Sequence, residues 1–207
     1  MSRCSPAQTV TTNNLCLACG LCCNGVIFAD VKLQPDDSAE ALRNLGLPLK
    51  RLPQKARKTA PSPAPPTAFI DPPLLAVNPV NPASAAAPMK FTQPCPAYAD
   101  CRCQIYAQRP QHCRSFECLL LKSVKAGSTT PPAALTIIQT ARQRAEAVRQ
   151  LLHDLGDHNE HLPLARRFRQ LARKVEQTGL DEETTDKFGR LTLALHDLNL
   201  LLSEEFF

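Results

Sequence analysis

Four of the chain's ten cysteines, Cys16, Cys19, Cys22 and Cys23, stand within eight consecutive positions in the stretch "LCLACGLCCNG", residues 15–25. Two residues between successive cysteines allow one tight backbone turn that aims both sulfurs at a common centre. C-x2-C-x2-C repeats that geometry, so Cys16, Cys19 and Cys22 read as three thiolates converging from one loop. Gly20 can supply the positive φ that a loop wrapped around an ion needs. Cys23 is the odd member, because neighbouring side chains point to different places. It serves a second ion, bridges two metals, or packs as a small buried hydrophobe.

Three thiols need completing ligands, and a second group at Cys95, Cys101, Cys103, Cys113 and Cys118 supplies them. Residues 48–88 lie between the groups and hold eleven of the nineteen prolines. Proline removes backbone donors and turns the preceding residue away from helix, so this stretch reads as a partly disordered insert between two halves of one cysteine site. The entropy of closing such a loop grows only slowly with its length, so the insert does not prevent a shared site. Its basic beginning, Lys50, Arg51, Lys55, Arg57 and Lys58, reads as a solvated loop rather than a patch for an anionic partner.

The first 14 residues are polar and unpatterned, and the reading for 1–14 is a disordered N-terminus. They hold no apolar run of an export signal, and no window approaches the ~20 apolar residues of a membrane span. The expected compartment is therefore the cytoplasm. In a reducing cytosol, clustered thiols are metal ligands or redox groups before they are structural disulfides. The formal net charge of +5 counts every cysteine as neutral. Two sites of four thiolates around a divalent centre would carry −2 each and bring the total to about +1, so the charge gives no strong signal for nucleic acid.

Past the cysteine loop, "VIFADVKL" predicts one short strand. "SAEALRNLGL" predicts a helix at Ser38–Leu45 with Ser38 as N-cap and Gly46 as the stop. "RPQHCRSFECLLL" predicts a helix with Pro110 in its first turn. Thr130 before Pro131 opens a longer helix whose stripe is Leu135, Ile138, Ala141, Ala145, Val148, Leu152 and Leu155. Leu164, Phe168, Leu171 and Val175 form a second stripe, and Phe188, Leu191, Leu195, Leu198 and Leu202 a third. Such stripes must be buried on one another, on the cysteine domain, or on a partner protein. The expected fold is mainly α: a small irregular cysteine-rich metal-binding domain with short helices over 15–122, interrupted by the insert at 48–88, then a three-helix region over 130–207.

The ordered set "CLACGLCC", then "CP", then "CQIYAQRPQHCRSFEC" resembles the YkgJ-type cysteine-cluster family of zinc- or iron-chelating domains, over roughly residues 15–120. The resemblance implies that Cys16, Cys19, Cys22, Cys23, Cys95, Cys103, Cys113 and Cys118 are the metal ligands, enough for two four-thiolate sites or for one cluster plus structural thiols. Cys4 and Cys101 lie outside its pattern. Ile105, Tyr106, Arg109, Pro110 and Arg114 match family positions. Arg109 and Arg114 are suited to donate hydrogen bonds to thiolate sulfur or to offset the negative charge of the site, whereas Tyr106 and Phe116 read as core packing. The metal stays open between zinc in a closed four-thiolate site and an iron–sulfur cluster. The triplet with a distant fourth ligand resembles a ferredoxin-type loop, and iron is preferred on that ground.

Other clusters read more plainly. His153, Asp154, Asp157, His158 and His161 surround Gly156 and Asn159 and read as a solvated loop rather than a metal site. "ARRFRQLARK" at 165–174 reads as the solvated face of a bundle helix rather than a membrane or RNA contact. Phosphate-cradling and hydrolase motifs are missing, and seven glycines leave little material for them. The functional expectation is a metal-binding protein in redox, sensing or metal-handling roles. The alternative is a protein-modifying enzyme of the lysine methyltransferase type, since proteins sharing this type of cysteine domain include methyltransferases acting on flagellin.

Overall fold

The computed structural model describes residues 15–52, 88–179 and 181–207. The expected disordered N-terminus with Cys4, and most of the proline-rich insert with Lys55, Arg57 and Lys58, lie outside the described residues.

Among the described residues the architecture is mainly α. Helix α1 is Leu15–Cys19, α2 Ala39–Asn44, α3 Gln111–Ser115, α4 Leu119–Lys125, α5 Pro131–Asp154, α6 Leu164–Thr178 and α7 Glu182–Glu205. Strands β1 (Asp30–Lys32), β2 (Lys50–Arg51) and β3 (Met89–Thr92) form an antiparallel sheet in the order β1-β3-β2, with Val31 opposite Phe91. A second ribbon pairs β4 (Tyr98–Ala99) with β5 (Arg102–Cys103).

The long helices follow from their stripes. Thr130 caps α5, its hydroxyl accepting from the Ala133 N–H, and Pro131 occupies the first turn where a missing donor costs nothing. Ile138, Ala141, Ala145, Val148 and Leu152 are fully buried along α5. Ala134 rather than Leu135 begins the buried face, because a residue seven before Ala141 lies on the same helix face. Helix α7 lies against α5 through Leu191, Leu198 and Leu202, and α6 adds Leu164 and Leu171. Phe168 stacks on Phe188 at 6.0 Å between ring centroids. Leu15, Leu21, Leu120, Leu121 and Val124 join this same core, so α1 and α4 are packed on the helical layer. A second, smaller core of Val31, Leu42, Leu47, Phe91, Ala97 and Ile105 sits under the three-stranded sheet.

Two local expectations change. The stretch predicted as one helix from Pro110 is two, α3 and α4, separated at Phe116, Glu117 and Cys118. Cys118 is the reason: its backbone is extended and its sulfur accepts from the Leu121 N–H at 3.4 Å, so it caps a new helix instead of continuing the old one. Pro110 accordingly stands just outside α3 rather than in its first turn. Strand β1 takes only Asp30–Lys32 of the predicted apolar run, while Val26 and Ile27 pack toward the helical core. The helix at Ser38 matches its expectation, with the Ser38 hydroxyl accepting from Ala41 N–H.

The join between α5 and α6 is held by a buried ion pair. Arg167, 4% exposed, donates from Nε to Asp157 Oδ2 at 2.7 Å and from Nη2 to the Asp157 carbonyl. Asn159 donates to Asp157 Oδ1. Burial raises the Asp157 carboxyl, but these hydrogen bonds outweigh it and hold the group below its ordinary 3.8. Asp157→Ala leaves Arg167 buried without its partner and is expected to destabilise the chain by about 3–5 kcal/mol in urea unfolding. Because the folded value is lowered, this contribution is present at neutral pH and fades as pH falls through that value. The gap between wild type and variant should therefore narrow in acid below pH 4.

Candidate metal centre

The loop begins in α1, which carries Cys16 and Cys19, and turns sharply at Gly20. With φ at +69°, Gly20 places its carbonyl to accept from both Cys23 and Asn24 N–H groups. A Cβ on Gly20 would stand 1.9 Å from the Tyr98 hydroxyl oxygen, so glycine is required by space as well as by conformation. The turn sends Cys22 and Cys23 to different neighbours. Cys95 N–H donates to the Cys23 carbonyl at 2.8 Å and straps the second cysteine group onto the first.

Helix α5 holds the loop from the other side. Arg142 donates to the Ala18 carbonyl at 3.1 Å and Arg149 to the Asn24 carbonyl at 3.4 Å. Leu164 N–H, at the start of α6, donates to the Gly25 carbonyl at 3.0 Å. Loop carbonyls that have no strand or helix partner are thus satisfied by the helical layer. The arginines on α5 were not read from the sequence as part of the site, because they sit over 100 residues from the loop they hold.

Among the described residues eight cysteines are free thiols: Cys16, Cys19, Cys22, Cys23, Cys95, Cys103, Cys113 and Cys118. They are the eight that the sequence pattern singles out. They separate by neighbourhood into two sets of four. In the first, burial raises the Cys19 thiol to about 12, with the charges of Cys118 and Cys16 adding to it. Cys22 is pushed up by burial, then by Cys19, Cys23, Cys118 and Cys16. In the second, burial raises Cys23 to about 12, with Cys103, Cys95 and Cys113 as its main charged neighbours and Cys19 after them. Burial likewise raises Cys113 to about 12, with Cys95 and Cys103 beside it. In the first set (Cys16, Cys19, Cys22, Cys118), Cys19 and Cys118 pack against the helical core; in the second (Cys23, Cys95, Cys103, Cys113), Cys95, Cys103 and Cys113 pack against the sheet core.

Backbone donors already face several sulfurs. Leu121 N–H donates to Cys118 Sγ at 3.4 Å, and the backbone amides of Leu21 beside Cys19 and of Ala97 and Tyr98 beside Cys95 partly offset the rise that burial imposes on those thiols. Such bonds favour the thiolate that a metal needs. A cavity of about 90 Å³ runs between the sets and is lined by seven of the eight thiols, all but Cys95. Around 10–15 Å³ of such space suffices for a single water, so the cavity has room for more than a bare ion. As the side chains stand, no three Cys, His, Asp or Glu groups among the described residues form a set that would close on one ion. Taking up metal would therefore draw the sulfurs inward as it displaces their protons.

Among the polar residues, Arg109 lines this cavity with its guanidinium 3.7 Å over the Tyr106 ring; burial raises Cys16 and Cys113, and the Arg109 charge offsets part of that rise. Arg114 is exposed and lines an outer groove with Asp36 and Asp37. Tyr106, expected as core packing, is the face on which Arg109 lies. Phe116 packs edge-on against Phe28 at 4.7 Å, and both rings flank His112, which also lines the cavity. No sequence pattern points to His112 or to Gln93, a residue 2% exposed beside the same cavity. Neither belongs to a ligand spacing, and only the fold brings them there. Cys101 is disulfide-bonded and stands apart from the eight. It occupies the Asp100-Cys101 turn between β4 and β5, where both residues have positive φ, and its sulfur accepts from Arg142. The His153 to His161 cluster is only in part the solvated loop expected: His153 and Asp154 end α5, Asp157 is buried against Arg167, and His153 packs edge-on against His158.

Gly20→Ala tests the loop directly. It is expected to lower metal bound per chain at least several-fold, because the added methyl displaces Tyr98 from the turn that spreads Cys22 and Cys23. Gly46→Ala is the control: its φ is also positive, at +84°, but it has open space around it, so it should keep metal content and lose only about 1 kcal/mol of stability. Elemental analysis of both purified variants reads the difference.

No curated protein and no solved structure is significantly similar to the chain. A family model, CxxCxxCC, described as "Putative zinc- or iron-chelating domain", matches residues 15–133. That span contains α1 to α4, both sheets and all eight free thiols. With its cysteine loop, its second cysteine group and the span between them all inside the match, the chain belongs to the CxxCxxCC family of zinc- or iron-chelating domains.

Proposed function

We propose that the chain chelates two metal centres, one in the Cys16, Cys19, Cys22 and Cys118 set and one in the Cys23, Cys95, Cys103 and Cys113 set. The observation that carries this reading is the division of the eight free thiols by neighbourhood, with seven of them, all but Cys95, lining one cavity. The consecutive Cys22 and Cys23 are the point of division. A set of four thiolates suits zinc or iron, and soft sulfur donors disfavour magnesium or calcium.

Iron is the preferred metal, held as iron–sulfur. Three features support it: space in the cavity beyond a single ion, N–H groups turned toward cysteine sulfur, and the closely stepped triplet of Cys16, Cys19 and Cys22. A cluster supplies one-electron chemistry, and the protein's part is to hold it in an apolar wall of Leu21, Ile138 and Phe206 that limits water. The role that follows is redox or sensing in a reducing cytoplasm, where the eight thiols stay free between loadings.

Purification without air, followed by absorption spectroscopy and metal analysis, tests the reading. The expected result is a brown protein with broad visible absorption and bound iron. A colourless protein carrying zinc would overturn the iron assignment while keeping chelation, and a protein without metal would overturn both. Ligation should also compete with protons, since bound thiolates must lose theirs. Affinity for added Zn²⁺ or Co²⁺ is expected to fall steeply as pH drops, with roughly four protons released per ion in weakly buffered solution.

A further inference from the structure

The two thiol sets do not have separate rooms: the cavity between them is lined from both sides, by Cys16, Cys19, Cys22 and Cys118 and by Cys23, Cys103 and Cys113. A divalent ion on four thiolates leaves each filled set at −2. Two such charges joined through consecutive residues repel, and in a wall that limits water they repel more than they would in bulk solvent.

Arg109 is placed to relieve this. It lines the shared cavity together with Cys16 of the first set and Cys113 of the second. Its guanidinium carbon stands 3.7 Å over the Tyr106 ring centroid, a contact that holds it in place. Its Nε is buried without a hydrogen-bond partner among the described residues, so that N–H is uncommitted. The other arginine beside the loop, Arg142, differs in this respect: its two terminal nitrogens already donate to Ala18 O and to Cys101 Sγ. Arginine also keeps its charge at any pH the protein meets.

We propose that Arg109 makes the two thiol sets interdependent, so that the second metal binds at full affinity only while this guanidinium offsets the charge the two filled sets share. The inference rests on the two-centre reading above. Its consequence is that the pair fills as one unit, and that a change at Arg109 separates the two loadings.

The test is a titration of the full chain, reduced and metal-free, with Co²⁺ followed by its thiolate absorption, and with Zn²⁺ in competition with a chromophoric chelator. Wild type should take up two equivalents in one closely spaced phase. Arg109→Gln should keep the first equivalent near wild type and weaken the second by about tenfold or more, splitting the titration into two steps. Arg109→Lys, which keeps the charge, should restore most of the second step, and Arg114→Gln, exposed on the neighbouring segment, should match wild type. Arg109→Met is the second neutral variant if Arg109→Gln does not fold, as judged by circular dichroism. The proposal is overturned if the neutral variants fill both equivalents like wild type, or if they lose both equally, which would mark a local packing role. A wild type that takes fewer than two equivalents overturns the two-centre reading itself and this inference with it.

Discussion

Consecutive side chains on a turning backbone diverge, and the arrangement of the cysteines depends on that constraint at Cys22 and Cys23. The turn at Gly20 makes the divergence sharp, with both Cys23 and Asn24 N–H groups bonded back to one carbonyl. From there Cys22 keeps company with Cys16, Cys19 and Cys118, and Cys23 with Cys95, Cys103 and Cys113. A single loop thereby seeds two neighbourhoods, and the distant second cysteine group is shared between them.

Each neighbourhood leans on a different core. Cys19 and Cys118 of the first pack against the large apolar cluster formed by α5, α6 and α7 together with Leu15, Leu21 and Leu120. Cys95, Cys103 and Cys113 of the second pack against the small cluster under the three-stranded sheet. Helix α5 does more than cover apolar surface, since Arg142 and Arg149 satisfy carbonyls of the cysteine loop that no regular element could. The helical region and the cysteine loop are therefore one packed body at this point, although the family match ends at residue 133. Beyond the described contacts, no helix among the described residues is long and apolar enough to cross a membrane.

Helices with a 3.6-residue apolar period were legible because the period is a local property: Ile138 to Leu152 and Leu191 to Leu202 bury as their spacing requires. The ribbon of β4 and β5 was not, since its turn is Asp100-Cys101 rather than a glycine-containing pair, and two-residue strands carry no period. The break between α3 and α4 was hidden for a related reason. Cys118 is a rare N-cap residue, and its sulfur stands where a serine hydroxyl would normally announce a new helix.

By itself the sequence determined the family, the eight thiols, and the three helical stripes, because ligand spacing and apolar period are written in consecutive residues. Only the tertiary structure decided which thiols neighbour which, that Arg109 rather than Arg114 lines the cavity between them, and that His112 and Gln93 border it. Those facts depend on how segments more than 70 residues apart meet, and no local pattern encodes such a meeting. The physical reason is burial: the two cores pull α1, α4 and the β3–α3 segment together, and the thiols follow the backbones that the cores place.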